Sequence, residues 1–195
     1  MDRDRSRTLI MSRYIVLDTE TPNSRNDCIC SIGIAVVEDG KIVEERYDLV
    51  DPEARFDVFN VELHGICPDM IRFEKNFPVL WQELEPIMNS GILVAHNAPF
   101  DLGVLSKLFR RYGIQRAPDE YLCTVRLGRK CIPDAPNHKL NTLCELLGIG
   151  LDHHNAASDA RAAAELLCYY MEKGLPISDY VKLWDYTKGG RSRWY

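Results

Sequence analysis

Runs of apolar residues predict three β-strands at the start of the chain. Residues 13–18 and 28–37 are apolar and rich in β-formers, which is typical of buried strands. Asp39 and Gly40 follow the second run and favour a tight hairpin turn into a third strand over residues 41–50. The chain is therefore expected to open with a meander of three strands.

The remainder of the chain alternates between helical and strand patterns. Residues 52–78 have no sustained period and predict a loop with short helical pieces. Helical spacing and short buried strand runs then alternate, with helices expected at 79–88, 99–113, 138–149 and 155–173 and strands at 91–96 and 121–125. This order of elements indicates an α/β fold with a mixed sheet flanked by helices.

The last predicted helix carries clear signals at both ends. Asn155 is a good N-cap, and Lys173 followed by Gly174 marks the C-terminal end. Its expected inner face is rich in alanine, including Ala156 and Ala160. Such small residues allow a helix to lie close to a sheet.

The composition indicates a single domain without a membrane segment. The chain has 195 residues, of which 46% are hydrophobic, enough for one core. No apolar run approaches the ~20 residues of a membrane span, and residues 1–12 are too charged for a signal peptide. The seven cysteines contain no C-x-x-C pair and are expected to be thiols in a reducing compartment. We therefore expect a cytoplasmic protein.

Charge is unevenly distributed along this acidic chain, whose net charge is −5. Residues 38–62 contain nine acids and three bases, whereas residues 107–139 contain eight bases and three acids. The second segment is expected either to attract a polyanion or to form an ordinary solvated surface of mixed charge.

Carboxylates stand at positions where the predicted strands end and the helices begin. Asp18 and Glu20 lie two residues apart at the end of the first strand, so both side chains leave the same face. Asp101 and Asp159 lie in the first turns of two predicted helices. Each acid alone also fits a solvated strand end or a position favoured by the helix dipole. Together, the four carboxylates predict a site for two divalent cations, Mg²⁺ or Mn²⁺.

Three short motifs resemble those of the DEDDh family of 3′–5′ exonucleases. They are DTET at 18–21, HNAPFD at 96–101 and HNAASD at 154–159. The family includes the proofreading epsilon subunit of bacterial DNA polymerase III and ribonuclease T. The resemblance spans residues 13–172 and implies a ribonuclease H-like fold with a five-stranded mixed sheet.

The resemblance also implies roles for individual residues. Asp18, Glu20, Asp101 and Asp159 would be the catalytic metal ligands, and His154 would be the general base. His154 has the H-x-A-x-x-D spacing to Asp159, and its neighbour His153 does not, so His153 is expected to point elsewhere. Contacts to the terminal nucleotide are expected from Thr19, Thr21, Asn97 and Phe100. Pro22 departs from the common motif and removes a backbone N–H near the terminal nucleotide.

The expected function is removal of nucleotides from the 3′ ends of single-stranded DNA, in proofreading or repair. Trimming of RNA ends is the alternative, and a non-catalytic nucleic-acid-binding module ranks below both. A DNA polymerase subunit is a candidate partner. The expected domains are a disordered leader at 1–12, an exonuclease domain at 13–174, and a C-terminal helix with a basic tail at 175–195.

Overall fold

The computed structural model describes residues 12–188 and contains one six-stranded sheet with helices on both faces. The strands are β1 Arg13–Glu20, β2 Ser31–Glu38, β3 Lys41–Leu49, β4 Ile92–Ala95, β5 Asp119–Cys123 and β6 Lys182–Trp184. The helices are α1 Val58–His64, α2 Pro68–Ile71, α3 Phe77–Met88, α4 Pro99–Tyr112, α5 Thr124–Cys131, α6 Leu140–Leu147 and α7 Ala156–Glu172.

The sheet is mixed, as the sequence predicts. Its strand order is β3-β2-β1-β4-β5-β6. The meander β1-β2-β3 is antiparallel, β1, β4 and β5 run parallel, and β6 is antiparallel to β5. The C-terminal ends of β1 and β4 therefore lie at the same edge of the sheet, where their polar residues can meet.

Side-chain alternation along β1 divides the core into two layers. Ile15 and Leu17 pack on the face covered by α3 and α4, whereas Tyr14 and Val16 pack on the face covered by α5, α6 and α7. Because both faces are buried, the strand is almost continuously apolar until its last residues. Asp18 and Glu20 continue the alternation on the α7 side.

Two elements differ from the sequence-based expectation. Helix α5 was not predicted, because β-branched residues open it and Gly128 in its interior lowers its helix propensity. The predicted C-terminal helix is instead a 3₁₀ turn, Ile177–Tyr180, followed by the edge strand β6. Trp184 holds β6 in place, since its indole N–H donates to Ser106 at 3.0 Å.

The short strand β6 raises the strand count from the expected five to six. The predicted leader lies almost wholly outside the described residues, as does the basic tail from residue 189 onwards. Within residues 12–188, no helix combines the length and apolarity needed to cross a membrane.

Candidate active site

Three predicted metal ligands converge at the end of β1. One carboxylate oxygen from each of Asp18, Glu20 and Asp159 lies within 4.8 Å of the other two. β1 contributes the first two side chains, and the first turn of α7 contributes the third. The sheet and one helix therefore build the cluster from residues that are far apart in the chain.

Gly33 allows α7 to approach the sheet closely enough for this convergence. Gly33 pairs with Asp18 in the β1-β2 register. A Cβ atom at Gly33 would lie 2.0 Å from the carbonyl oxygen of Ala156, at the start of α7. The N-terminus of α7 thus rests directly on the backbone of β2, which sets the position of Asp159.

Asp101 approaches the cluster from the opposite face of the sheet. It lies in the first turn of α4 and is only 2% exposed. Thr19 holds it with two donors, the hydroxyl at 2.9 Å and the backbone N–H at 3.2 Å, both to Oδ1 of Asp101. Thr19, expected to contact substrate, is therefore engaged with a carboxylate in this structure.

Burial and mutual repulsion raise the pKa of these carboxyl groups. Burial raises the pKa of Glu20 to about 8, with further contributions from Asp159 and Asp101. Burial also raises the pKa of Asp101 to about 7, although the Thr19 hydrogen bonds oppose the shift. The pKa of Asp18 rises well above its usual value, first through burial and then through its three acidic neighbours.

This donor set fits a divalent cation. Buried carboxylates that repel one another gain stability from a positive charge placed between them. Among residues 12–188, these four carboxylates form one ion pair, which joins His153 and Asp159. The acidic residues are thus able to hold a metal ion, and oxygen donors suit hard cations.

The expectation that His153 points away from the site is wrong. Nδ1 of His153 lies 3.1 Å from Oδ2 of Asp159, and the backbone N–H of His154 donates to the same oxygen at 3.1 Å. The two imidazole rings stack with centroids 4.0 Å apart. His154 has a left-handed backbone, with φ of 70°, which breaks the strand-like alternation of adjacent side chains and lets both rings face the cleft.

A cleft of about 430 Å³ opens over the carboxylates. Thr21 and Phe100, both expected to contact substrate, line it, and Phe100 is 37% exposed. Phe59 and Leu63 on α1 also line it and are exposed, although the sequence pattern did not single them out. Asn97, the remaining substrate candidate, is not among its lining residues. One wall of the cleft is therefore apolar and the other is acidic.

Helix α1 fixes the position of Thr21. The Asn60 side-chain amide donates to the Thr21 carbonyl at 2.9 Å, and Nε2 of His64 lies 3.2 Å from the same oxygen. The Thr21 hydroxyl lies 2.9 Å from Oδ1 of Asn26. His64 therefore has a positioning role that its sequence context did not reveal.

His96 is a structural histidine, because both nitrogens of its ring have hydrogen-bond partners. Its Nδ1 lies 2.9 Å from the Thr124 hydroxyl, and its Nε2 lies 3.0 Å from the carbonyl of His138. Burial lowers the pKa of His96 to about 4, so the ring is neutral. His96 thus ties the end of β4 to α5 and to the segment before α6.

The basic stretch 107–139 is divided between separate surfaces. Lys107, Arg110 and Arg111 lie on α4 beside the cleft, whereas Arg126, Arg129 and Lys130 lie on α5, on the other face of the sheet. Arg116 is packed against aromatic rings and pairs with Asp119 at 2.6 Å. The stretch therefore does not form one continuous patch.

Solved structures show which class of fold this is. Exonuclease X in complex with 5′-overhanging duplex DNA has 26% sequence identity and a TM-score of 0.68, covering 86% of this chain and 96% of that one. The nuclease domain of 3′hExo, a DEDDh family member bound to rAMP, has a TM-score of 0.75 at 14% identity, covering 91% and 98%. The chain has the ribonuclease H-like fold of these exonucleases.

Sequence comparison gives the family. Residues 15–167 match the exonuclease family of ribonuclease T. DNA polymerase III PolC-type of Halalkalibacterium halodurans is 33% identical over 162 residues, which are 82% of this chain and 11% of that protein. The Bacillus subtilis protein of the same description is 32% identical over 181 residues, 89% of this chain and 13% of that protein. The chain thus spans about a tenth of the length of these relatives. The chain belongs to this exonuclease family.

Proposed function

We propose that this chain removes nucleotides from the 3′ end of single-stranded DNA. The observation that carries the proposal is the cluster of Asp18, Glu20 and Asp159 at the floor of a cleft with an exposed apolar wall. Such a cleft suits a chain terminus, because one nucleotide can lie between the apolar wall and the carboxylates. The sequence similarity to PolC-type DNA polymerases supports DNA as the substrate.

The four acidic residues would hold two divalent cations, Mg²⁺ or Mn²⁺. When bound, such cations stabilise charge on the attacking and leaving oxygens of a phosphodiester. Asp18, Glu20 and Asp159 would share these cations because their carboxylates cluster, and Asp101, which Thr19 holds, would support this group. The cations would also neutralise the acidic wall that otherwise repels a phosphate.

His154 is proposed as the general base that accepts a proton from the attacking water. Within residues 12–188 its ring makes no hydrogen bond, whereas the His153 ring is engaged with Asp159. Burial and the neighbouring His153 lower the pKa of His154, which favours the neutral ring near neutral pH. A free and neutral imidazole at the mouth of the cleft can take up a proton.

The apolar wall is proposed to hold the terminal nucleotide. Phe100 and Phe59 present exposed rings to the cleft, and stacking of a base on an aromatic ring contributes ~1–3 kcal/mol. Thr21, which also lines the cleft, is proposed to contact the 3′-hydroxyl. Asn97 lies just before α4 and stays a candidate for a contact outside the cleft.

A basic groove beside the cleft is proposed to bind the phosphates that precede the terminal one. It encloses about 1300 Å³ and meets the cleft at Ser24, which lines both. Its lining includes three acids, Asp27, Glu53 and Asp57, and five bases, Arg25, Arg55, Lys107, Arg110 and Arg111. The excess of positive charge favours a polyanion.

The central test is digestion of matched DNA and RNA oligonucleotides that carry a 5′ label. We expect a descending ladder with Mg²⁺ or Mn²⁺, no products with a chelator, and faster loss of DNA than of RNA. A 3′ label should be released in the first step, and a 3′-phosphate should slow the reaction. Faster loss of RNA would favour the alternative, an exoribonuclease, and cutting of a circular single strand would contradict the cleft model.

The groove is tested by reversing two of its charges. Arg25→Glu combined with Arg55→Glu should weaken binding of a long single strand and reduce its salt dependence, since each phosphate contact contributes ~0.7 to the logarithmic slope. Cleavage of a dinucleotide, which cannot reach the groove, should be retained. Arg129→Glu with Lys130→Glu on α5 is the matched control and should leave both measurements close to wild type.

Association with a DNA polymerase is proposed from the PolC-type relatives, in which the matched region is one segment of a much longer chain.

A proofreading role predicts that a terminal mismatch in a primer is removed faster than a matched terminus, because frayed ends enter the cleft more readily. Equal rates on both primers would argue against a proofreading role.

A further inference from the structure

Asp159 belongs to two alternative sets of metal-ligand atoms. In the first set it joins Asp18 and Glu20, and in the second it joins His153 and His154. Within each set the three ligand atoms lie within 4.8 Å of one another. The first set offers only carboxylate oxygens, whereas the second offers two imidazole nitrogens and one oxygen.

The two sets suit different ions. Oxygen donors favour hard cations such as Mg²⁺ and Mn²⁺, whereas imidazole nitrogen with one carboxylate favours Zn²⁺. With metal–ligand distances of ~2.0–2.1 Å, neighbouring ligand atoms of a tetrahedral zinc lie roughly 3.3 Å apart. Nδ1 of His153 and Oδ2 of Asp159, 3.1 Å apart, already have nearly this spacing.

The local backbone keeps both histidines near Asp159. The left-handed conformation of His154 brings the two rings into a stack, and the His154 N–H holds Oδ2 of Asp159 from the backbone side. His154 is only partly buried, so its ring can rotate out of the stack to direct a nitrogen toward the same point. The rotation of one side chain is therefore enough to complete three ligands.

We propose that His153, His154 and Asp159 form an inhibitory zinc site that competes with the hard-cation site. Zinc in this site would take Asp159 away from Asp18 and Glu20. The hard cation would then have only the carboxylates of Asp18 and Glu20 from this set. It would also hold the ring of His154, the proposed base. The inference rests on the proposed function for its inhibitory effect, but the competition between ions is a binding property that can be measured without activity.

Zinc affinity is measured by competition with a chromophoric chelator, in the absence of other divalent cations. His153→Gln should weaken zinc binding by roughly tenfold or more, because even loss of a group behind a metal ligand costs ~10–100-fold in affinity. His64→Gln is the matched control. It removes a histidine that contacts the Thr21 carbonyl beside the cleft, and it should leave zinc affinity unchanged.

Competition is measured by the release of bound Mn²⁺, detected as the signal of the free ion in electron paramagnetic resonance. Stoichiometric Zn²⁺ should release Mn²⁺ from the wild-type protein and much less from His153→Gln. Glu20→Gln should weaken Mn²⁺ binding while zinc affinity persists. Unchanged zinc affinity in His153→Gln, or simultaneous binding of both ions by the wild type, would overturn the proposal. Failure of nuclease activity alone would instead count against the proposed function.

Discussion

The two helices that bring carboxylates to the site support them in different ways. Asp101, on α4, is held by donors from β1, the hydroxyl and the N–H of Thr19. Asp159, on α7, is held by His153 and His154, which directly precede its own helix. Asp101 is thus fixed by the sheet, whereas Asp159 depends on a short local turn. The α7 half of the site, whose position on the sheet is set at Gly33, therefore takes the donors to its carboxylate from the turn before its own helix, and it also contains the proposed base.

The largest expected effect is the loss of turnover when one of the carboxylates proposed to share a cation is neutralised. Asp18→Asn, Glu20→Gln and Asp159→Asn should each lower turnover by ~10²–10³-fold or more, as expected when a main electrostatic stabiliser is lost. The proteins should stay folded, because removal of charge relieves repulsion. Initial rates with Mg²⁺ and thermal unfolding of the metal-free variants check this. Near wild-type turnover in any of the three would refute the assignment of the site.

Within the α7 half, the two histidines should differ. His154→Ala should lose roughly 10²–10⁴-fold in rate, the usual contribution of a general base, and should retain substrate binding. His153→Ala should lose only a few-fold, because the N–H of His154 still supports Asp159. Single-turnover rates and affinities for a single strand measure both effects. Equal losses in the two variants would show that the roles are misassigned.

The position of α7 can be disturbed without changing any active-site side chain. Gly33→Ala would drive a Cβ into the Ala156 carbonyl, which should cost ~1–3 kcal/mol in stability and shift Asp159 away from β1. Chemical denaturation and nuclease rates measure the two effects. Gly150→Ala is the matched control, since a Cβ there meets no atom within 4 Å. A fully active Gly33→Ala protein would show that the close approach of α7 is not needed.

The α4 half is tested by removing one of the two donors to Asp101. Thr19→Val keeps the N–H and loses the hydroxyl, and a hydrogen bond to a charged group contributes ~1.5–3 kcal/mol. We therefore expect a rate loss of roughly 10- to 100-fold. Thr19→Ser restores a hydroxyl and serves as the control. If serine fails to rescue the rate, packing at Thr19 rather than its hydrogen bond is responsible.

The last effect, confined to the metal-free protein, is a pH dependence of its stability. Burial raises the folded-state pKa of Glu20 to about 8 from its ordinary value near 4.5. The folded state therefore retains a proton that the unfolded state has lost, so this contribution to stability is present below pH ~4.5 and is lost as the pH rises toward 8. Between these two pKa values, the free energy of unfolding falls by up to ~1.4 kcal/mol per pH unit.

Thermal unfolding with a chelator at pH 6, 7 and 8 measures this dependence. The wild type should lose stability over this range, whereas Glu20→Gln should lose less. Glu83→Gln, at an exposed carboxyl on α3, is the control and should follow the wild type. Added Mg²⁺ should reduce the difference between wild type and Glu20→Gln at pH 8. Parallel curves for these two proteins without metal would contradict the raised pKa.

Local patterns in the sequence were sufficient to predict most elements of the fold. The hairpin at Asp39 and Gly40 was predicted from turn preferences, and φ is positive at both residues. The cap at Asn155 was also predicted, and its side chain accepts the N–H groups of Ala157 and Ser158. These features depend on residues within a few positions of one another, so the sequence alone specifies them.

The motifs at strand ends and helix starts also allowed the four carboxylates to be proposed as one cation site. Alternation along β1 places Asp18 and Glu20 on one face, and helix periodicity places Asp101 and Asp159 in first turns. The chain therefore determined by itself which side chains could meet, because strand and helix periods fix the direction of each one.

Only the tertiary structure decided what surrounds these side chains. The edge strand β6 forms because Trp184 reaches Ser106, 78 residues earlier, and the cleft gains Phe59 and Leu63 because α1 folds over the end of β1. His153 meets Asp159 because His154 adopts a left-handed conformation that residue spacing does not predict. Packing between distant segments and an uncommon backbone angle therefore decided these contacts, since neither leaves a periodic signal in the sequence.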